Sequence, residues 1–420
     1  MYIKIGTTKR GKITEITKNN QIGTTKQKYW YYHIYCNGRE MYMKKLKGIT
    51  WAHSRGFTSI VAVSQRYAEL HPDIDITWEK RSLQEFADAP VEKLAEAYDL
   101  LIIDHPWAGF AAKHKILLPL QEYLSEEYLN DQAENSVGAS HNSYNFDGYQ
   151  SALAIDAATP IAVYRPDYFT DKKIPETFEE VLGLARQGIV AYAGIPINLL
   201  MDFYMFADNM ADKFFTDDCM VDEESGCEIL EKMRELASYC PQEMFNWDPI
   251  SVHEVMASEN KIYYCPFAYG YTNYSRRGYA KYLLKANDVV SFNGVPLHTV
   301  LGGTGLAISA KTKYTEEAVD FAAYAASSEI QKTIFFDNGG QPGHRSAWLD
   351  GENNRRCMNF FQDTLYTLDH SYLRPRYSGY LEFQDNAGDF VREYVMNGGN
   401  PQKIICKLNE LYLISKEEKG

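Results

Sequence analysis

No apolar run in this 420-residue chain approaches the roughly eighteen residues that a membrane-spanning helix needs, so no transmembrane segment is expected. Positive charge is also in short supply. Lys and Arg number 43 against 56 Asp and Glu, for a formal net charge of -13 and a pI of about 5.3. Affinity for a phosphate backbone comes from neutralising phosphates with Lys and Arg, and without a dense basic stripe nucleic acid is excluded as a partner. Cysteine is sparse and unpatterned. Cys36, Cys219, Cys227, Cys240, Cys265, Cys357 and Cys406 make an odd number with no CxxC or zinc-like spacing, which favours reduced thiols over a disulfide framework. There is no P-loop, no GxSxG elbow and no HExxH, so nucleotide, hydrolase and zinc-protease chemistry have no motif to rest on. His53, His105 and Asp104 have no spacing that defines a metal site, and no cofactor is expected.

What is present suits a globular protein of two lobes. The hydrophobic share is 45% and the charged share 24%, ordinary values for a folded chain, and the length exceeds one typical domain. The aromatic share of 14%, with 32 Tyr and 20 Phe, suits a protein that lines a cleft with rings as well as its core. The first forty residues stand apart: they are rich in Lys, Thr and Asn, and repeat IGTTK at Ile5–Lys9 and Ile22–Lys26. No basic head with a following apolar run appears there, and Cys36 lacks the small and aliphatic neighbours of a lipid-anchored leader. The expectation is an N-terminal extension over residues 1–42, translation beginning at Met41 or Met43, and a protein that stays in the cytoplasm.

The rest is organised around Tyr98–Leu120. Leu100–Ile103 is an apolar, β-branched run closed at once by Asp104, His105 and Pro106, the pattern of a buried central strand opening onto a polar loop. Such loops are where α/β sheets place ligand contacts. Asp104 alternatively caps the next helix, and His105-Pro106 alternatively forms a plain turn. Upstream, a strand over Leu46–Trp51, a loop Ala52–Gly56, a helix over Thr58–Leu70, a strand over Asp75–Glu79 and a helix over Phe86–Ala97 complete an alternating parallel unit. It places Trp51, His53, Arg55, Arg81, Asp104, His105 and Trp107 along one rim.

Two extended stretches, Tyr149–Ile155 and Pro160–Tyr164, flank a polar pause at Asp156–Thr159 and read as a crossing between lobes. Helices are expected over Pro175–Arg186, Leu199–Asn209, Asp222–Ser238 and Ser251–Ser258, and a strand over Lys261–Cys265 opens onto Phe267–Thr272. Gly302–Gly305 reads as a second crossing, because glycine reaches backbone geometry denied to other residues. Leu306–Ser309 is a returning strand, and Thr315–Ala326 and Ser328–Asp337 are helical. Gly339–Gly343 is a turn, Ser346–Leu365 and Phe383–Met396 are helical, and the tail over residues 412–420 is charged and frayed.

The order of YDLLIID at Tyr98–Asp104, the crossing at Gly148–Pro166, PETFEEVLGLA at Pro175–Ala185, GGTGLAIS at Gly302–Ser309 and SSEIQKTIFFDNGGQPGHRSAW at Ser327–Trp348 resembles the extracellular solute-binding proteins of the sugar-binding class. Maltose-binding protein belongs to that family. The resemblance spans Leu46–Leu411 and implies a periplasmic-binding-protein-like type II α/β fold, with residues 43–155 plus 303–343 in one lobe and 156–302 plus 344–411 in the other. It further implies a monomer that captures a carbohydrate, a sugar acid or another small carboxylate by hinge closure, without catalysis, and that partners ABC-importer permease subunits. The same fold also hosts a few enzymes, including Cys-dependent ones, which keeps Cys265 as an alternative nucleophile; a cytoplasmic ligand sensor is a further alternative.

The rings placed against a ligand are Trp51, Trp107, Trp247, Tyr269 and Tyr271, because a flat apolar face suits the CH face of a sugar; core packing is the alternative for each. Asp104 and Asp156 accept from hydroxyls, Gly303 and Thr304 present a backbone N–H and a hydroxyl, and Arg345 follows the Gly-Pro turn near the same mouth. His53, Arg55 and Arg81 supply donors suited to a carboxylate or phosphate, although Arg81 alternatively pairs with Glu79 or Glu85 at the surface. A buried Arg without a partner is expensive, so the ligand is expected to be anionic unless Asp104 or Asp156 neutralises the arginine.

Overall fold

The computed structural model describes residues 43–82 and 90–417, together with the backbone of a short hairpin, Ile34–Cys36 with Arg39–Met41. The expectations for the remainder of residues 1–42, for 83–89 including Glu85, and for the last three residues lie outside the described residues. In chain order the principal strands are β1 (Lys44–Trp51), β2 (Ile74–Arg81), β3 (Leu100–Ile103), β4 (Ala152–Ala158), β5 (Pro160–Tyr164), β6 (Tyr264–Tyr269), β7 (Lys285–Asn287) and β8 (Gly302–Ile308).

Five of them form the sheet of the first lobe in the order β2-β1-β3-β8-β4, with β1 parallel to β2 and β3, and β8 antiparallel to β3 and β4. The apolar run Leu100–Ile103 is the central strand, fully covered on both faces. Successive strand residues point to opposite sides: Leu100 and Ile102 join Leu46, Ile60 and Phe321 on one face, while Leu101 and Ile103 join Ile49, Tyr144 and Ala307 on the other. The second lobe has a three-stranded antiparallel sheet, β6-β5-β7, inside a larger helical core that includes Phe178, Leu199, Phe203, Ile229 and Val391. The helices that matter for the site are α1 (Ser54–Leu70), α2 (Phe178–Ala185), α3 (Pro196–Met210), α4 (Glu223–Ser238), α5 (Pro249–Met256), α6 (Thr315–Ala326), α7 (Tyr380–Asn397) and α8 (Pro401–Lys416).

Several boundaries differ from the sequence expectation, each for a local reason. The loop expected over Ala52–Gly56 is largely helix: His53 caps α1, its Nδ1 accepting the Arg55 N–H at 3.0 Å, which places Arg55 in the first turn. Gly56 is needed there because a Cβ would lie 2.4 Å from the Trp51 ring. The polar pause expected at Asp156 is continuous strand, broken at Thr159 between β4 and β5. The helix expected over Ser346–Leu365 is interrupted, with separate turns at Arg345–Trp348, Gly351–Arg356 and Leu365–Asp369, and with Met358 and Asn359 at positive φ (55° and 62°). The tail expected from residue 412 is instead the end of α8, where Tyr412 is buried and donates to the Thr216 carbonyl at 2.8 Å.

Among the described residues, three segments run between the two sheets and their packed cores. Thr159 shares a 2.7 Å hydrogen bond with the Thr299 hydroxyl and donates to the Val300 carbonyl at 3.1 Å, so the first two crossings are laced together. Gly339–Gly343, expected as a turn, is the third: Ala157 N–H donates to the Gln341 carbonyl and Gly343 N–H to the Ile155 carbonyl, both at 3.1 Å. The Gln341 amide donates to the Ala157 carbonyl at 2.8 Å and accepts the Thr272 N–H at 3.0 Å.

Candidate ligand cleft

At the junction of the lobes lies a cavity of about 730 Å³, within the size range of small-molecule sites. The first lobe contributes strand ends and the helix after one of them: Trp51, Arg55, Asp104 and Gly302–Thr304. The second contributes Tyr269 at the end of β6 and Tyr271 just beyond it, the N-terminal ends of α3 and α5, and one face of α7. Strand C-termini and helix N-termini gather at such a rim because parallel α/β units deliver both there.

Arg55 is 4% exposed and Asp156 1%. The guanidinium grips the carboxylate through Nε to Oδ2 at 2.7 Å and a second bond from Nη2 to Oδ1, and Nη1 donates to the Gly270 carbonyl at 2.8 Å. It also lies 4.8 Å over the Tyr271 ring, a cation–π contact. Burial alone opposes its charge, and Asp156 outweighs burial and holds it protonated.

A second arginine faces it. Arg374 donates from Nη2 to the Asp104 oxygens at 2.9 and 3.1 Å and from Nη1 to Gln384 Oε1 at 2.8 Å. Burial would raise the Asp104 carboxyl, but Arg374 and His105 together hold it well below the usual carboxylate range. His105 is fully buried beneath, its Nδ1 3.1 Å from Asp104 Oδ1, and burial lowers its pKa to about 4. Two residues on, Arg376 reaches the first lobe: its Nη1 donates to the carbonyls of Asn142, Ser143 and Asn145 at 3.0, 2.8 and 2.7 Å.

Rings complete the walls. Trp51 packs against Gly56, where a Cβ would lie 2.4 Å from its ring, and Tyr269 sits so close to Gly302 that a Cβ there would be 2.5 Å from the ring. Gly303, at φ +98°, would place a Cβ 2.3 Å from the Asp156 carbonyl, so both crossing glycines are required by close approach.

The sequence pattern of bacterial extracellular solute-binding proteins matches residues 62–350. The chain belongs to that family. Among solved structures, this solute-binding protein superposes on a maltose-bound T. maritima MalE3 with a TM-score of 0.75, 15% identity, and coverage of 88% of this chain and 99% of that one. It matches a ribitol complex of an ABC-transporter solute-binding protein from Agrobacterium radiobacter K84 with a TM-score of 0.74, 18% identity, and coverage of 90% and 99%. A maltotriose-binding protein of Pyrococcus abyssi is 25% identical over 120 residues, which span 29% of this chain and 25% of that protein.

The periplasmic-binding-protein-like type II fold is therefore observed, and the cytoplasmic placement expected from the N-terminal residues is overturned, because the family is extracellular. Its members bind rather than transform their solutes. Cys265 fits that: it is fully buried, and burial pushes its thiol well up, away from the low-pKa thiolate that a nucleophilic cysteine needs.

Of the residues expected at the cleft, Trp51, Arg55, Asp104, Tyr269, Tyr271, Gly303 and Thr304 line the cavity of this solute-binding protein, with Asp156 directly behind Arg55. The others stand elsewhere. His53 caps α1, with Nε2 3.2 Å from the Tyr279 hydroxyl, and burial followed by the Arg55 charge lowers it to about 4. Arg81 ends β2 at the sheet edge, paired in register with Trp51, and lies outside the lining. Trp107 meets Phe110 edge-on, and Trp247 packs on the second-lobe core. Arg345 is committed to Asp369, with Nη1–Oδ2 at 3.0 Å and Nη2–Oδ1 at 2.5 Å. Sequence reasoning missed Asn198, Asp248, Arg374, Gln384 and Asp389. Ile195-Pro196 and Asp248-Pro249 carried a signal, proline at the first position of a helix; Arg374, in an irregular loop, carried none.

Proposed function

We propose that this solute-binding protein captures a hydroxyl-rich solute, a carbohydrate or polyol, between its lobes and delivers it to the permease of an ABC importer. The observation that carries the reading is that both cleft arginines are already neutralised inside the protein, Arg55 by Asp156 and Arg374 by Asp104. The argument for an anionic ligand required an arginine without a partner, and that requirement is not met. What faces the cavity is a set of rings beside hydrogen-bonding groups, the combination that holds a sugar by its CH face and its hydroxyls. The relatives described above bind maltose, ribitol and maltotriose, which supports the class.

The three laced crossings act as the hinge, and ligand bridging both walls closes the lobes by rigid-body rotation. The test is calorimetry with maltose, maltotriose, ribitol, glucuronate and glucose 6-phosphate, paired with small-angle scattering. Saturable binding of a sugar or polyol with a smaller radius of gyration is the expected result. Binding confined to glucuronate or the phosphate would overturn the ligand class, and an unchanged radius at saturation would overturn hinge closure.

A further inference from the structure

Two free cysteines, Cys227 and Cys406, sit along one helix seam of the second lobe, away from the cleft. α8 lies against α4, and three contacts fix how. The Asn409 side chain accepts the Met220 and Val221 N–H groups at 2.8 and 3.1 Å and donates to the Val221 carbonyl at 2.9 Å, just ahead of α4. A Cβ on Gly226, early in α4, would lie 2.7 Å from Ile405 Cδ1, and one on Gly398, just before α8, would lie 2.5 Å from the Arg234 guanidinium carbon. Positions rise along one helix as they fall along the other, so the two run antiparallel.

Cys227 follows Gly226, and Cys406 follows Ile405. Each is turned about 100° from the residue before it, and because the axes point in opposite directions both turns go to the same side of the seam. Exposure agrees. Gly226, Ile229, Leu230, Ile405 and Leu408 are buried, whereas Cys227 is partly exposed and Cys406 exposed. Glycine at the crossing brings the axes towards the short end of the roughly 8–10 Å range of packed helices. With Cα atoms about 2.3 Å off each axis, adjoining positions then fall within the roughly 7 Å that a disulfide spans. The electrostatics point the same way: burial raises the Cys227 thiol, and the charges of Glu223, Glu231 and Cys406 raise it further. Other cysteines are placed differently. Cys240, Cys265 and Cys357 are buried away from an oxidant, and Cys219 holds the Thr216 hydroxyl at 3.5 Å in the turn before α4.

We propose that Cys227 and Cys406 form a disulfide that staples α8 to α4 in the oxidising exterior where the family works. The oxidant is a small disulfide of the glutathione class. The exposed Cys406 thiolate attacks one of its sulfurs and expels a thiolate; the Cys227 thiolate then attacks the Cys406 sulfur and expels the second. One S–S bond is lost and one gained, the two cysteines give two electrons to the oxidant, and their two protons end on the released thiols. The new bond closes the chain between residues 227 and 406 into one long loop, which restrains the unfolded state more than a short one does.

The full chain is held in glutathione disulfide or in dithiothreitol, then denatured, labelled with N-ethylmaleimide and weighed. Against the seven cysteines of the sequence, the oxidised chain is expected to take up two labels fewer than the reduced one, and a non-reducing digest to yield the Cys227 and Cys406 peptides joined. The thermal midpoint of the oxidised chain is expected about 5 °C or more above that of the reduced chain, and Cys227→Ser and Cys406→Ser each to abolish both the link and the rise. Full labelling after oxidation, a glutathione adduct on Cys406 with Cys227 still free, or a link between any other pair overturns the proposal. A joined pair with an unmoved midpoint, or a rise that survives Cys406→Ser, overturns the staple.

Discussion

Replacing Arg55 by Leu isolates the buried pair at the heart of the cleft. The substitution strands Asp156, 1% exposed in the interior of β4, without its counter-ion, and strips the Gly270 carbonyl of its 2.8 Å donor. Removing one member of a buried ion pair costs about 3–5 kcal/mol, and an orphaned buried carbonyl adds about 1–3 kcal/mol. Asp156 relieves part of this by taking up a proton, because burial already pushes its carboxyl upward and Arg55 is the principal opposing influence. The pH dependence has a definite sign. In R55L the folded pKa of Asp156 lies above its unfolded value of about 3.9, so the variant is least impaired below that pH and loses stability as pH rises towards the folded pKa. Urea unfolding of wild type, R55L and R55L/D156L at pH 7 and pH 5 reads all of it. R55L is expected to lose at least about 3 kcal/mol at pH 7, less at pH 5, and the double variant to recover most of the loss. A loss below about 1 kcal/mol, the scale of a solvent-exposed pair, or a double variant no better than R55L, would refute the reasoning.

Other consequences are more local. Trp51 lines the cavity and Trp107 does not, so Trp51→Ala should weaken sugar binding about tenfold or more, by roughly the 1.4 kcal/mol that a tenfold change represents, and W107A should leave it within about twofold; equal losses in calorimetry would show the cleft has been misplaced. Gly303→Ala forces a side chain into positive φ against the Asp156 carbonyl and should cost about 1–3 kcal/mol, visible as a lower thermal midpoint; an unshifted midpoint would contradict the close approach. His53, His105, His141 and His253 are held by burial at about 4, below their unfolded value of about 6.5. The unfolded chain therefore takes up protons first, and stability present above pH 6.5 drains as pH falls towards 4, by at most about 1.4 kcal/mol per histidine per pH unit. Urea midpoints that stay level between pH 7.5 and pH 5 would rule this out.

Periodicity and termination signals in the sequence determined the central strand Leu100–Ile103, the alternation that builds the first sheet, the helix Thr315–Ala326 and, through the order of its motifs, the family. These are local properties: a four-residue apolar run closed by Asp-His-Pro has few other places to go. The sequence also brought Trp51, Arg55, Asp104, Tyr269, Tyr271, Gly303 and Thr304 to the cleft, because strand ends and a glycine-rich crossing mark the rim whatever the packing around them. Pairing across the chain was another matter. Arg55 meets Asp156 across 101 positions and Asp104 meets Arg374 across 270, distances at which no spacing rule operates, and those two pairs neutralise the arginines of the site. Trp107, Trp247 and Arg345 had the right chemistry and the wrong neighbours, since a ring or a guanidinium is satisfied equally by Phe110, by a core or by Asp369. The acids of α7 reach the cavity because Gly388 lets that helix close onto the start of α3, a contact between elements nearly two hundred residues apart that tertiary packing alone decided.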